Sequence, residues 1–289
     1  MSGYERSNDL RQRIQARESL LLPGVWDPLS ALIVEQGGFS TAFVSGFAVS
    51  GSLLGRPDVG FLTQTEMAEV ARRVCTAVPQ LNLVVDADTG YGDPMSVRRT
   101  VELWEQSGAA GMFLEDQVWP KRCGHMEGKQ VVAREVWLAK LQAACDHRQH
   151  IHVTARTDAR AAVSLNEAIE RAKMARDTGV DALFIEAPET IEEMEAIARA
   201  LPDIPLVANM VEKGKTPLLT PQELADLGFQ LVISPLSLLL AATQAMTSAA
   251  HRLSNEGTLR DHLADISPFD AFTDLVGLPE HKAQENRYR

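Results

Sequence analysis

Residues 81–88 read LNLVVDAD and residues 110–116 read AGMFLED, and in both segments an apolar run ends in acidic residues. Each run is short enough for a buried strand, and each is followed by a segment with the periodicity of a helix. The same alternation recurs along the chain, with further apolar runs at 21–26, 40–46, 151–158, 181–187, 204–210 and 230–236. About eight such units in one chain predict a (β/α)8 barrel of the TIM type. An open, doubly wound parallel sheet is the alternative fold.

The pattern changes after residue 245, where only helical segments follow. We therefore predict a single barrel domain over residues 1–289, with the barrel at about 20–245 and a C-terminal helical arm at about 246–289. The arm carries an apolar stripe that includes Phe269 and Phe272. Such a stripe needs a surface to cover, either on its own barrel or on a neighbouring subunit.

Composition excludes several classes of protein. Hydrophobic residues make up 45% of the 289 positions, which is enough for a large core. The net charge of −11 and the lack of a basic tract argue against nucleic acid or an anionic membrane as a partner.

The three cysteines are widely spaced and odd in number, which favours a reducing compartment. The polar start has no apolar signal segment, and no apolar run is long enough to span a bilayer, so we expect a cytoplasmic protein.

Acidic residues occupy the ends of consecutive predicted strands. Asp86 and Asp88 end one strand, Glu115 ends the next, and Asp58 lies in the loop after the second strand. In a barrel these positions share the C-terminal rim, where active sites are built. Converging carboxylates repel each other unless a cation lies among them. An all-oxygen set favours Mg²⁺, or Mn²⁺, over zinc. The alternative is that each acid caps the helix that follows it.

The segment Lys121-Arg122-Cys123-Gly124-His125 surrounds one thiol with positive charge. Such neighbours lower the pKa of a cysteine and make it a better proton donor or nucleophile. A loop that closed over the rim would exclude water and deliver Cys123 to a substrate. The alternative is a solvated basic loop with an incidental cysteine.

Four motifs together resemble the isocitrate lyase/phosphoenolpyruvate mutase superfamily: DADTGYG at 86–92, LEDQVWPKRCGH at 114–125, ARTDA at 155–159 and ANMVEKGKTP at 208–217. The resemblance covers roughly residues 20–255. It is to the short lyase branch, which includes 2-methylisocitrate lyases, 2,3-dimethylmalate lyases and carboxyphosphonoenolpyruvate mutase-like proteins. The resemblance implies a Mg²⁺-dependent enzyme that acts on a small carboxylate. It also implies a homotetramer whose subunits exchange C-terminal helices.

The resemblance also implies a role for each matching residue. Asp86 is the expected direct metal ligand, and Asp58, Asp88 and Glu115 are expected to hold the water shell of the metal. The loop residues Lys121, Cys123 and His125 are the expected catalytic group together with Arg156, and Cys123 resembles the general acid. The expected substrate-binding residues are Ser45, Gly46, Phe47, Arg156, Glu186 and Asn209.

The first functional hypothesis is a carbon–carbon lyase that splits a small α-hydroxy di- or tricarboxylate, similar to 2-methylisocitrate or dimethylmalate, into an α-oxo acid and a second carboxylate. The alternatives are an oxaloacetate decarboxylase or related enzyme that works through a pyruvate enolate held by Mg²⁺, then a carbon–phosphorus mutase, and in a different class a non-catalytic oligomeric binding barrel. Phe47, Met126 and Pro235 depart from the family pattern. Phe47 narrows the predicted pocket. Met126 stands where 2-methylisocitrate lyases tend to have an arginine, whose positive charge suits a tricarboxylate. Oxaloacetate hydrolases carry a marker serine near the position of Pro235, and this sequence lacks it.

Overall fold

Eight parallel strands follow one another around a nearly closed barrel. The computed structural model describes residues 1–122 and 128–289, and everything below concerns these residues. The strands are β1 (Leu20–Val25), β2 (Thr41–Val44), β3 (Asn82–Asp86), β4 (Gly111–Glu115), β5 (His152–Thr157), β6 (Ala182–Ile185), β7 (Val207–Asn209) and β8 (Leu231–Ser234). Their hydrogen-bonded order is β6-β5-β4-β3-β2-β1-β8-β7, and a single bridge between Leu183 and Leu206 links the two ends. An open, doubly wound sheet would reverse its strand order at a switch point, so the predicted barrel is confirmed.

Helices surround the strands, and several of them begin at side chains that cap their free N–H groups. Asp27 accepts a hydrogen bond from Ser30 N at 2.7 Å, and Thr63 forms a reciprocal capping box with Glu66. The helices are α1 (Gly3–Gln15), α2 (Pro28–Gln36), α3 (Gly46–Val49), α4 (Gln64–Ala77), α5 (Pro94–Ser107), α6 (Arg134–His147), α7 (Ala159–Ala162), α8 (Leu165–Arg176), α9 (Ile191–Ala200), α10 (Pro221–Leu227), α11 (Ser237–Glu256), α12 (Phe269–Leu275) and α13 (Leu278–Glu285). A π-helical turn follows α3 at Ser50–Leu54, and a 3₁₀ turn lies at Arg260–Asp265.

Side chains along the strands alternate between two apolar layers. The inner layer fills the barrel, where the rings of Phe43 and Phe113 lie 5.0 Å apart and those of Phe113 and Phe184 lie 5.6 Å apart. Leu10 and Ile14 of α1 join this layer and close the N-terminal end of the barrel. The outer layer packs the strands against the helices. A cavity that reaches the inner-layer residues Phe43 and Ile233 lies at the C-terminal end.

The C-terminal arm presents an exposed apolar surface. α11 runs without interruption across residue 245, so the predicted end of the barrel falls inside one helix. No residue of α11, α12 or α13 is buried. The exposed apolar side chains include Met246, Leu253, Leu263, Phe269 and Phe272. The division of the chain and the exchange of helices remain predictions. Among the described residues, no helix has both the length and the apolar character that crossing a membrane requires.

Candidate active site

The strand alternation itself places the polar residues of the site. Each of them lies two positions beyond a residue that faces the barrel interior, as Asp86 follows Val84 and Glu115 follows Phe113. Side chains two apart on a strand point to the same side, so these residues face inward at the C-terminal mouth. The residues placed in this way are Ser45, Asp86, Glu115, Arg156, Glu186 and Asn209.

A cavity at this mouth brings most of the predicted site residues together. It encloses about 460 Å³ of space, including its open mouth. Its polar lining comprises Ser45, Asp58, Asp86, Lys121, Arg122, Arg156, Glu186 and Asn209. Its apolar lining comprises Phe43, Phe47, Val211, Ile233, Pro235 and Leu236. Asp88 and Glu115 do not line the cavity directly, but they contact Lys121 and Arg156, which do.

Lys121 lies among the predicted metal acids. Its Nζ atom is 2.6 Å from Asp58 Oδ1 and 2.7 Å from Asp88 Oδ1, and its side chain is only 4% exposed. The sequence left open a solvated basic loop, and for Lys121 that alternative is wrong. Cys123 and His125 of the same segment, and Met126, lie outside the described residues.

The predicted metal acids Asp58, Asp86, Asp88 and Glu115, called the acid cluster below, carry more negative charge than the neighbouring cations compensate. Burial raises the pKa of Asp88 to about 7, and repulsion from Asp86 and Asp58 adds to this rise although Lys121 opposes it. Burial also raises the pKa of Glu115 well above its ordinary value. Burial lowers the pKa of Lys121, but the surrounding carboxylates outweigh that effect and hold it above its ordinary value. The raised pKa values of Asp88 and Glu115 indicate that an additional cation would be bound favourably here.

The donor atoms at this position suit a hard divalent cation. Glu115 Oε1 is buried and has no hydrogen-bond partner in the described part of the chain. A Cβ at Gly46 would lie 2.7 Å from Asp86 Oδ2, so glycine leaves the space that this carboxylate occupies. Within residues 1–122 and 128–289, no three His, Cys, Asp or Glu side chains converge closely enough to ligate one ion together. The unpartnered Glu115 oxygen and the Asp86 carboxylate are oxygen donors, and they fit a hard ion such as Mg²⁺ that also keeps part of its water shell.

Arg156 is held on two of its three nitrogen atoms. Its Nε lies 3.3 Å from Glu115 Oε2 and 3.0 Å from Asp158 Oδ2, and its Nη2 lies 3.1 Å from Glu186 Oε2. Asn209 Nδ2 donates to both oxygens of Glu186, at 3.2 and 3.3 Å. Among the described residues, the hydrogen bonds of Arg156 use Nε and Nη2, and none uses Nη1. Two N–H groups of a fixed guanidinium are thus available to an anionic oxygen.

The β2–α3 turn supplies a second set of donors. Ser45 caps α3, accepting a long hydrogen bond from Ala48 N at 3.4 Å, and its side chain is buried. Gly46 and Phe47 are the first residues of α3, so their backbone N–H groups have no carbonyl partner within the helix. The Phe47 side chain lines the cavity close by. This turn therefore combines backbone donors with an aromatic wall.

Two functional neighbours were missed from the sequence. Asp158 is completely buried and accepts hydrogen bonds from both Arg156 and Lys129. Burial opposes the ionisation of Asp158, but Arg156 and Lys129 outweigh it and lower its pKa to about 2. Asp158 belongs to the ARTDA motif, which could have identified it. Lys129 carries no comparable signal, because it lies in a long loop without periodicity.

Sequence comparison places the chain among known enzymes. Residues 10–254 match the family model of phosphoenolpyruvate phosphomutase. The chain is 44% identical to a chloroplastic carboxyvinyl-carboxyphosphonate phosphorylmutase of Arabidopsis thaliana, over 95% of this chain and 82% of the relative. It is 42% identical to a petal death protein of Dianthus caryophyllus, over 98% and 90%. It is 39% identical to a 2,3-dimethylmalate lyase of Eubacterium barkeri, over 96% of each.

Solved structures give the same result. An oxaloacetate acetylhydrolase in complex with 3,3-difluorooxalacetate matches with a TM-score of 0.94 at 34% identity, over 100% of this chain and 98% of that one. A 2,3-dimethylmalate lyase, described as a PEP mutase/isocitrate lyase superfamily member, matches with a TM-score of 0.93 at 32% identity, over 98% and 95%. A phosphonopyruvate hydrolase in complex with oxalate and Mg²⁺ matches with a TM-score of 0.88 at 28% identity, over 98% and 99%. The resemblance drawn from the four motifs is confirmed: the chain belongs to the PEP mutase/isocitrate lyase superfamily and is an enzyme.

Proposed function

We propose that this enzyme is a Mg²⁺-dependent carbon–carbon lyase that cleaves a small α-hydroxy dicarboxylate, or a tricarboxylate of similar shape, into an α-oxo acid and a second carboxylate. One observation carries the proposal. Asp58 and Asp86 of the acid cluster line the same cavity as Arg156, whose Nη1 donates no hydrogen bond to a described residue. A metal cation bound at the acid cluster would face the guanidinium of Arg156. Together the two groups would hold the adjacent oxygens of an α-hydroxy or α-oxo carboxylate.

The residues divide between holding the ion and holding the substrate. Asp86 would bind Mg²⁺ directly, and Asp58, Asp88 and Glu115 would hold its water molecules. Bound Mg²⁺ would stabilise the negative charge that develops on the substrate oxygen during cleavage. Arg156 would stabilise the same oxygen from the other side, and the N–H groups of Gly46 and Phe47 would bind the carboxylate.

The proton steps follow from the bond that breaks. In the cleavage, water or another base accepts the hydroxyl proton, the C–O bond becomes a carbonyl, and the electron pair of the broken C–C bond stays on the second fragment. That carbanion must take up a proton to become the released carboxylate. We assign the donor to Cys123 on the family pattern. A thiol with an ordinary pKa near 8.5 is protonated at neutral pH, so it is available as the acid.

The apolar lining of the cavity supports an alkyl-substituted substrate. Phe43, Phe47, Val211 and Ile233 line the cavity together with its polar residues. A methyl group there would be removed from water, which stabilises binding by about 0.8 kcal/mol per carbon. We therefore place methyl-substituted malates before unsubstituted, more polar acids.

Oxaloacetate is the second candidate substrate, in a decarboxylation or a related carbon–carbon cleavage. It is favoured by the match in shape to an oxaloacetate acetylhydrolase over the whole chain. The mutase alternative is supported by the relative named as a phosphorylmutase. The non-catalytic binding barrel has no such support, since the matched relatives include lyases and mutases.

A substrate screen tests the proposal. The purified enzyme is incubated with Mg²⁺ and 2,3-dimethylmalate, 2-methylisocitrate, oxaloacetate or a phosphonopyruvate, and released α-oxo acid and phosphate are measured separately. We expect α-oxo acid from a substituted malate, loss of turnover with EDTA, and loss of turnover in Cys123→Ser. Cys145→Ser on α6 is the matched control, since that half-buried thiol lies outside the cavity. Turnover that survives EDTA and Cys123→Ser would contradict the proposal.

We further propose that the enzyme is a cytoplasmic homotetramer that binds neither nucleic acid nor membrane. The exposed apolar surface of α11 and α12 supports assembly through the C-terminal arm. The net charge of −11 opposes binding to nucleic acid or to an anionic membrane, since both are negatively charged.

A further inference from the structure

Asp158 joins two cations that come from different parts of the chain. Its Oδ2 accepts from Arg156 Nε at 3.0 Å, and its Oδ1 accepts both from Arg156 Nη2 at 3.2 Å and from Lys129 Nζ at 2.8 Å. The Asp158 side chain is fully buried, and that of Lys129 is only 2% exposed. The backbone N–H of Asp158 donates to Asp116 Oδ1 at 2.8 Å, which fixes the aspartate in place. Asp158 is therefore a rigid bridge between Lys129 and Arg156.

The charges around Arg156 explain why a second cation is needed. Arg156 contacts three buried carboxylates, those of Glu115, Asp158 and Glu186. A single guanidinium would be drawn towards all three, and its orientation would depend on which of them was ionised. Lys129 compensates the charge of buried Asp158. Asp158 can therefore stay ionised and accept hydrogen bonds from Nε and Nη2 of Arg156. The Nη1 atom is then directed away from this edge.

Lys129 is itself positioned by the loop between β4 and α6. The base of that loop is closed by backbone pairing, with Val118 N donating to Gln130 O at 2.8 Å and Val132 N donating to Asp116 O at 2.9 Å. This pairing holds residue 129 beside the C-terminal end of β5. Packing at the base of the loop thus determines where the Lys129 ammonium lies.

We propose that Lys129 is a positioning residue that orients Arg156 for the substrate by way of Asp158. This inference rests on the proposed function, in which Arg156 binds an α-oxo or α-hydroxy carboxylate. Lys129 does not touch the substrate. Its removal leaves Asp158 with one cation instead of two, and the guanidinium then loses its fixed orientation.

Calorimetric titration with oxalate in the presence of Mg²⁺ tests this inference, because oxalate presents adjacent carboxylate oxygens without undergoing reaction. We expect Lys129→Met to weaken oxalate binding by about tenfold or more, as a small displacement of a binding group does. Lys129→Arg, which restores the charge, should recover most of the affinity. Lys173→Met, which breaks an exposed ion pair with Glu170 on α8, is the matched control and should bind as the wild type does. Circular dichroism checks folding, and Lys129→Gln replaces Lys129→Met if the latter does not fold.

A double-mutant cycle separates positioning from a general loss of structure. If Lys129 acts by way of Arg156, then Lys129→Met added to Arg156→Lys should weaken oxalate binding further by less than about twofold. A full, independent loss in that background would overturn the inference, as would wild-type affinity in Lys129→Met itself. Failure of the wild-type enzyme to bind oxalate with Mg²⁺ would instead contradict the proposed function, and the inference with it.

Discussion

The Lys121 ammonium nitrogen lies 2.6 Å from Asp58 Oδ1, and both side chains are buried at the C-terminal mouth of the barrel. Asp58 comes from the loop that follows β2 and α3, whereas Lys121 comes from the loop that follows β4. The same ammonium lies 2.7 Å from Asp88 Oδ1. One protein cation therefore compensates two of the acids that we propose for the metal site. Lys121 and the proposed divalent ion would therefore compensate the same excess of negative charge.

Replacing Lys121 with methionine tests this shared compensation. Without metal, we expect Lys121→Met to lower the free energy of unfolding by about 3 kcal/mol, because two buried carboxylates lose their cation. We expect Mg²⁺ to raise the Tm of this variant more than that of the wild type, because the ion replaces the missing charge. Thermal unfolding with and without Mg²⁺ measures both effects, with Lys173→Met as the control for loss of an exposed lysine. An equal Mg²⁺ shift in variant and wild type would contradict shared compensation.

Phe47 is expected to limit the size of the substrate. Its side chain lines the cavity beside the donors of the β2–α3 turn. Phe47→Ala removes this wall, so we expect the kcat/KM for 2-methylisocitrate relative to that for 2,3-dimethylmalate to rise by about tenfold. Steady-state kinetics on both acids measure the ratio. Phe39→Ala, at the opposite end of β2, should leave the ratio unchanged. A ratio that stays constant in Phe47→Ala would show that this ring does not set substrate size.

Stability should fall in mild acid because His152 is buried without charge. Burial lowers the pKa of His152 to about 4, with Arg11 and Arg148 lowering it and Asp181 opposing them. The unfolded chain takes up a proton near pH 6.5, but the folded protein does so only near pH 4. The stability contributed by neutral His152 is therefore present above pH 6.5, and it decreases as the pH falls from about 6.5 to 4. Over that window it amounts to about 3 kcal/mol.

Urea unfolding of the wild type and His152→Leu at pH 7 and pH 4.5 isolates this contribution. We expect the variant to lose less stability between the two values, since the titrating group is gone. His251→Gln on the exposed surface of α11 is the control and should follow the wild type. Parallel losses in all three proteins would contradict a neutral His152.

The barrel and much of the site could be predicted because both follow from strand alternation. Each of the eight apolar runs overlaps one strand, and residues such as Asp86 and Glu115 come directly at the strand ends. Two-residue periodicity then determines which of these side chains face the mouth of the barrel. The positions of Arg156 and Glu186 follow from the same rule.

The contacts made by the loops could not be predicted in this way. Lys121 and Lys129 lie in a segment without periodicity, and only the folded loop brings their ammonium groups to Asp58, Asp88 and Asp158. The division near residue 245 stays a prediction, and the sequence did not show that this position lies inside the single helix α11. Periodicity predicts which face of a helix or strand is buried, but it does not predict contacts between side chains that are distant along the chain.

The C-terminal arm should hold the assembly together. Phe269 is 84% exposed and Phe272 is 44% exposed in the single chain. We expect the double variant Phe269→Asp, Phe272→Asp to have a smaller native mass than the wild type, because charged side chains oppose burial at a subunit interface. Light scattering after size exclusion measures the mass, and Tyr288→Asp near the terminus is the control for loss of an exposed aromatic ring. An unchanged mass would exclude this surface from the interface.

The most direct test of the central claim is anomalous diffraction from crystals of the wild-type enzyme grown with Mn²⁺ and oxalate. The proposed function predicts a manganese peak at the Asp86 carboxylate and an oxalate oxygen within hydrogen-bond distance of Arg156 Nη1, in one cavity. A manganese peak remote from Asp86, or oxalate bound away from Arg156, would contradict it.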